Sequence, residues 1–259
     1  MGQDNSIIKK NPFKNSKIHR FEVAVCHGQG GRKYQEDSYA YLSRGSKTHF
    51  TAIVADGMGG LEGGKEISQF VADKLLEATN SISLNKNIYD QLSALVLQLN
   101  QEAIARNIPG GSTLACIYCN PKGLYWCCVG DSRVYLYRDG FLNHLNEDGD
   151  YINQLFVHVL KGEMPIKSAF LDAQKDSLVS YMGFRGNLIV DGNRRPLQMQ
   201  SGDKILICSD GVYNYIPKVE MNKMLELPPI ETAVSMEDYI RGLGHPHQDN
   251  YTAVVIDFV

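Results

Sequence analysis

Apolar residues along this chain come in two kinds of run. Short continuous runs at 50–55, 112–119, 124–129, 133–138, 204–208 and 253–258 are rich in Val, Ile, Leu, Tyr and Cys. Four of the six stop at aspartate, asparagine or glycine, and all six read as buried strands. Further strands are expected at 20–26 and 188–190, and a glycine-rich turn at 28–31. The sequence Asn120-Pro121-Lys122-Gly123 predicts a hairpin turn between two of the strands. Longer stretches repeat at helical spacing. Ile67, Phe70, Val71, Leu75 and Leu76 predict a helix over 66–79. Leu92, Leu95, Val96, Leu99 and Ile104 predict one over 88–106. Shorter helices are expected at 150–161, 220–226 and 236–242. Residues 1–17 read as a loose arm and 18–259 as a single domain, with 144–186 resembling an insertion. Many short strands with two paired helices imply an α+β layered domain built on antiparallel sheets.

Composition narrows the class. The 259 residues are 43% hydrophobic and 21% charged, enough to bury a core. A net charge of −3 gives no reason to expect nucleic acid as a partner. No apolar run approaches the ~20 residues that span a bilayer, and the polar, basic start of the chain is no secretory signal. A cytoplasmic protein without a membrane anchor is expected, a monomer by default. Met1-Gly2-Gln3-Asp4-Asn5-Ser6 does fit the short myristoylation pattern. The six cysteines include Cys116, Cys119, Cys127 and Cys128, which lie in apolar strand segments and read as buried reduced thiols rather than a zinc module.

The chemistry lies in acidic residues at strand ends. Asp56-Gly57, Gly130-Asp131 and Asp210-Gly211 each follow an apolar run, Asp249-Asn250 precedes one, and Glu36-Asp37 follows the glycine-rich turn. Singly, Asp-Gly marks a turn. Asp56 and Asp210, however, leave strands that must be buried, where a carboxylate is costly without a positive partner. No basic residue adjoins them in sequence. Hard oxygen donors of this kind suit Mg²⁺ or Mn²⁺.

These segments also carry a family resemblance. Arg32-Lys33-Tyr34-Gln35-Glu36-Asp37, Asp56-Gly57-Met58-Gly59-Gly60, Gly111-Ser112-Thr113-Leu114, Gly130-Asp131-Ser132-Arg133-Val134-Tyr135, Ser209-Asp210-Gly211-Val212 and Asp249-Asn250-Tyr251-Thr252 occur in the order of the metal-dependent protein serine/threonine phosphatases of type 2C. The sequence resembles that family over roughly residues 20–259. The resemblance implies a four-layer αββα sandwich, two antiparallel sheets flanked by helix pairs. It implies two divalent cations, with Asp56 bridging them, the Gly57 carbonyl binding one, and Asp210 and Asp249 completing the other shell. Glu36 and Asp37 would hold metal-bound waters, Asp131 would serve a weak third metal, and Arg32 would bind the substrate phosphate. A hydroxide between the metals would attack phosphoserine or phosphothreonine in proteins, opposing a serine/threonine kinase.

Three positions depart from the family pattern. Met58 stands where eukaryotic members usually carry histidine, as it does in bacterial members. Asn214 replaces an aspartate of the third metal site, and Gln35 replaces asparagine. Residues 144–186 fall where bacterial relatives carry a flap; a packed insertion and a substrate-gating lid are both compatible with the sequence. His245 and His247 read as loop residues, and His27 as a neighbour of the glycine-rich turn. Arg133 reads as a brace for its loop, Tyr125 and Trp126 as core, and Arg185, Arg194 and Arg195 as solvated charge. The alternatives are a catalytically inactive phosphatase-like binding or sensing module, and a two-metal hydrolase of another phosphate ester.

Overall fold

A computed structural model describes residues 21–44, 49–59, 62–175 and 177–259. The expected arm, the myristoylation pattern and Gly60 lie outside the described residues. Among the described residues, twelve strands appear in order: β1 (Phe21–Gly28), β2 (Ser38–Arg44), β3 (His49–Ala55), β4 (Gly57–Met58), β5 (Gly111–Ser112), β6 (Leu114–Asn120), β7 (Gly123–Val129), β8 (Arg133–Arg138), β9 (Phe141–His144), β10 (Asp191–Gly192), β11 (Lys204–Cys208) and β12 (Tyr251–Phe258). Seven α-helices join them: α1 (Glu62–Ala78), α2 (Ile88–Ala105), α3 (Tyr151–Leu160), α4 (Ile166–Leu171), α5 (Asp210–Tyr213), α6 (Lys218–Met224) and α7 (Pro229–Gly242).

The strands form two five-stranded antiparallel sheets, ordered β1-β12-β11-β8-β9 and β10-β7-β6-β3-β2, with β4 and β5 as a small separate pair. The continuous apolar runs have a direct cause: their strands are covered on both faces. In β3, Phe50, Ala52 and Val54 face the opposite sheet, where they meet Ile205, Ile207, Val254, Ile256 and Phe258. Ile53 and Ala55, on the other face, pack under Ile67, Val71 and Leu75 of α1 and Leu92 and Val96 of α2. The second sheet repeats the arrangement. Leu206, Cys208, Ala253 and Val255 turn outward beneath Met221 of α6 and Ala233, Met236 and Ile240 of α7. The result is the four-layer αββα sandwich. All six cysteines are buried and free, as the sequence implied. No helix among the described residues is long and apolar enough to cross a membrane.

Several boundaries differ from expectation. The strand expected over 112–119 is split at Thr113, which separates β5 from β6 and turns toward Asp56. The strand expected at 188–190 is extended chain, and pairing begins at Asp191 opposite Cys128. The helix expected at 236–242 begins seven residues earlier, at Pro229, because proline fits the first helical turn where its missing N–H is no loss. Strands β2 and β9 and helices α4 and α5 were not anticipated.

The double coverage gives a stability prediction. Ile207→Ala, in the layer between the sheets, should cost about 2–5 kcal/mol. Leu97→Ala, on the exposed side of α2, should cost no more than about 0.5 kcal/mol. Urea unfolding of both variants would show it; equal losses would contradict the layered core.

Candidate active site

Loops from both sheets meet at a cleft of about 230 Å³, lined by Arg32, Glu36, Asp56, Gly57, Asp131, Asp210 and Asp249, together with Met58, Gly59, Thr113, Leu178 and Asn250. Seven of the eight residues singled out in the sequence thus share one surface. The eighth, Asp37, is wholly buried beneath it.

The local chain geometry is fixed by hydrogen bonds. Asp56 leaves β3, and its N–H donates to Thr113 Oγ1 at 2.9 Å. The Thr113 N–H returns a bond to Asp56 O at 2.8 Å. Thr113 Oγ1 also lies 2.6 Å from Ser132 Oγ, so the Asp56 and Asp131 loops are tied together. Gly57 has no room for a side chain: a Cβ would stand 2.4 Å from Gly64 O and 2.5 Å from Glu36 O. Asp210 opens α5, directly after β11. Tyr213, one turn on, donates its hydroxyl to Asp131 O at 3.1 Å and Oδ2 at 3.2 Å.

Asn250 is the clamp on the remaining loop. Its Oδ1 accepts from Glu36 N–H at 2.8 Å, and its amide donates to Gln29 O at 2.8 Å and Tyr34 O at 2.9 Å. Three contacts from one side chain hold the 29–36 segment against the start of β12. Asp37 is held from the same side, its Oδ2 accepting from Ser209 Oγ and Thr252 Oγ1, each at 2.7 Å.

Electrostatically the cleft is overcrowded with negative charge. Burial pushes the Asp37 carboxyl up to about 6. Burial, then the charges of Asp131 and Asp249, push Asp210 up to about 7. Asp56 lies well above its ordinary range, through burial first and then repulsion from Asp37, Asp210, Asp131 and Asp249. Glu36 and Asp131 are raised too, chiefly by burial. The nearby cations do little to relieve this. Lys65 donates to the backbone oxygen of Asp37 and to Ser38 Oγ, not to a carboxylate. Among the described residues, Arg32, half exposed, pairs with Asp249.

These residues fit a cation-binding centre. Glu36 Oε1 and Asp37 Oδ1 are buried without a hydrogen-bond partner among the described residues, so they are donors in need of a positive ligand or water. Among the described residues, no three acidic, histidine or cysteine side chains converge as a ready-made single-ion set. The carboxylates are spread round the cleft instead. That spacing suits hard cations that keep several waters and take one or two carboxylates each.

The remaining sequence readings sort out simply. Arg133 is a brace: it forks onto Asp148 and lies 3.6 Å over the Tyr213 ring. Asn214 does not line the cleft but donates to Asp210 Oδ2 at 3.3 Å. His27 bonds to Thr252 Oγ1 at 2.9 Å and keeps clear of the cleft. His245 and His247 belong to the loop before Asp249, and no histidine among the described residues lines the cleft. Within 144–186, α3 and α4 pack through Phe156 and Phe170, and Leu178 reaches the cleft wall. The positioning roles of Thr113, Ser209, Asn250 and Thr252 escaped the sequence reading. A polar side chain at the end of an otherwise apolar run was the available signal.

Comparison with known proteins agrees with this geometry. Residues 27–247 match the family described as protein phosphatase 2C. The serine/threonine phosphatase Stp of Listeria innocua is 26% identical over 235 residues, covering 87% of this chain and 91% of that protein. The serine/threonine phosphatase of S. agalactiae superposes with a TM-score of 0.77 at 20% identity, covering 92% of this chain and all of the other. The catalytic domain of the phosphatase PstP, solved in complex with two manganese ions, gives a TM-score of 0.67 at 24% identity over 92% of this chain and 97% of that one. The chain therefore belongs to the protein phosphatase 2C family, among the bacterial serine/threonine phosphatases.

Proposed function

We propose that this chain removes phosphate from phosphoserine and phosphothreonine in cytoplasmic proteins, opposing a serine/threonine kinase. Two divalent cations, Mn²⁺ or Mg²⁺, would be held by Asp56, the Gly57 carbonyl, Asp210 and Asp249, with Glu36 and Asp37 orienting their waters. The observation that carries this reading is the group of mutually repelling carboxylates around Asp56, together with the unpartnered oxygens of Glu36 and Asp37. The two-manganese complex of the related fold supports the same chemistry.

The cations would supply Lewis-acid charge to the phosphoryl oxygens and an acidified water as nucleophile. The chain's own groups do the rest. Ser209 and Thr252 keep Asp37 oriented. Arg32 carries a planar fork suited to two phosphate oxygens, and its partner Asp249 is itself a proposed ligand. A cation at Asp249 would free that fork for substrate. Met58 lines the cleft and cannot donate a proton, so leaving-group protonation falls to water. The Asn214 amide occupies an Asp210 oxygen without adding charge, so a third ion at Asp131 would be held weakly.

Two predictions test this. Asp56→Asn should lower Mn²⁺-dependent phosphate release from a phosphothreonine peptide by at least about a hundred-fold, while Arg32→Ala should act mainly on KM. Unaltered release by Asp56→Asn would remove the basis of the proposal. No release by the wild type at saturating Mn²⁺ would favour an inactive binding module.

The second prediction concerns pH. Asp37 and Asp210 titrate near 6 and 7 in the folded chain, above their ordinary 3.8. A carboxyl raised by folding favours the fold below its unfolded pKa, and that contribution is lost as pH rises through the folded value. The metal-free protein should therefore melt at a lower temperature at pH 8 than at pH 5, and Mn²⁺ should raise the melting temperature more at pH 8. Thermal scans with and without EDTA measure this; a metal-free protein that is more stable at pH 8 would speak against it.

A further inference from the structure

A polar relay runs from the buried Asp37 to the edge strand β1. Asp37 Oδ2 accepts from Thr252 Oγ1 at 2.7 Å, and Thr252 Oγ1 lies 2.9 Å from His27 Nδ1. His27 and Thr252 stand directly opposite each other in the β1–β12 ladder, so the strand register itself brings ring and hydroxyl together. The half-buried His27 ring also packs edge to face against Tyr39 of β2, with 5.1 Å between ring centres. The ring does not line the cleft.

Proton counting fixes the direction of this relay. An ionised carboxylate only accepts, so Thr252 commits its single hydroxyl proton to Asp37. The hydroxyl oxygen then meets His27 with lone pairs alone, and the hydrogen bond between them requires a proton on Nδ1. Burial, then the Lys65 charge, lower the His27 pKa from its ordinary value, which favours the neutral ring with Nε2 bare. The opposite tautomer would turn Nδ1 into an acceptor, and the threonine proton would have two claimants. Asp37 depends on that proton. Thr252 and Ser209 are the hydroxyls that hold its Oδ2, its Oδ1 has no hydrogen-bond partner among the described residues, and Lys65 donates to its backbone oxygen instead.

Resting on the phosphatase reading, we propose that His27 is a positioning residue for the metal centre: its Nδ1–H, acting through Thr252, fixes the rotation of the Asp37 carboxylate that would orient the water of a bound cation. The ring stands two steps from the chemistry and touches no substrate. What it controls is how firmly the cations are held. Hydrogen bonds in a chain strengthen one another where the surroundings are buried, so losing the outer donor weakens the inner contact. Outer partners of a metal site typically alter its affinity by about ten- to a hundred-fold, and the extra step puts His27 at the low end.

The first measurement is made on the wild type and needs no variant. Long-range ¹H–¹⁵N spectra of histidine-labelled protein, loaded with diamagnetic Mg²⁺ at about pH 8, where an ordinary histidine is neutral, report which ring nitrogen carries the proton. The His27 ring, assigned by its nuclear Overhauser contacts with Tyr39, should carry it on Nδ1; a bare Nδ1 would overturn the proposal. The second measurement is Mn²⁺ affinity by calorimetry. His27→Phe keeps a ring against Tyr39 but removes the donor, and should weaken Mn²⁺ binding about ten-fold. His27→Asn, whose amide N–H can stand near the place of Nδ1, should restore affinity to within about two-fold of the wild type. At saturating Mn²⁺, the KM of His27→Phe for a phosphothreonine peptide should match the wild type. Equal Mn²⁺ losses in His27→Phe and His27→Asn would reduce His27 to a structural residue. A wild type that binds Mn²⁺ while both variants match it sinks this inference alone. If the wild type binds no Mn²⁺, the metal-dependent reading fails and the inference falls with it.

Discussion

Negative charge gathered at one end of the sandwich is the constraint on which the rest of the structure depends. Asp56 is buried beside Asp37 and Asp210 with Asp131 and Asp249 near, and each raises the cost of ionising it. Two like charges ~4 Å apart repel by about 4 kcal/mol at an effective dielectric near 20. Such a cluster persists only if the surrounding chain has no easier arrangement. The layered core provides that rigidity. β3, β11 and β12 are packed on both faces, so the strand ends that carry Asp56 and Asp210, and the start of β12 beside Asp249, cannot splay apart without opening the apolar layer between the sheets.

The hydrogen bonds around the cleft fix what core packing leaves free. Asn250 grips three backbone groups of the 29–36 segment, and Thr113 closes a two-way bridge with Asp56. Ser209, just past β11, and Thr252, in β12, hold one oxygen of Asp37, and the other has no hydrogen-bond partner among the described residues. The pattern is selective. Backbone groups around the cleft are tied, while Glu36 Oε1 and Asp37 Oδ1 are buried without a hydrogen-bond partner among the described residues. Oxygens left in this state suit the cations of the proposed function.

Much of this was legible in the sequence, for physical reasons that also explain the failures. Strands buried on both faces give continuous apolar runs, so β3, β6, β7, β11 and β12 stood out. β2 was missed because it is an edge strand whose Tyr39, Tyr41 and Leu42 are partly exposed among polar neighbours. The start of α1 was placed four residues late because Gly63 and Gly64 are poor helix formers. Both are there for close approach: a Cβ on Gly63 would strike Pro109 O, and one on Gly64 would strike Glu36 Oε1. The carboxylates were legible because aspartate after a buried strand demands an explanation. The clamps were not, since Asn250 to Glu36 and Thr252 to Asp37 bridge more than 200 positions. Nothing local marks such a pair.

The same charge bears on substrate entry. A phosphate monoester is anionic, and a cleft of bare carboxylates repels it. Arg32, the group best suited to draw phosphate inward, pairs with Asp249. Under the proposed function, the carboxylates would hold cations that offset this charge, Arg32 would be free to face substrate, and phosphate affinity would depend on metal occupancy. Catalysis and binding then share one requirement. The long-range field of the whole chain, with a net charge of only −3, contributes little to choosing a substrate. Short-range contacts around the cleft are then left to decide which phosphate ester is held.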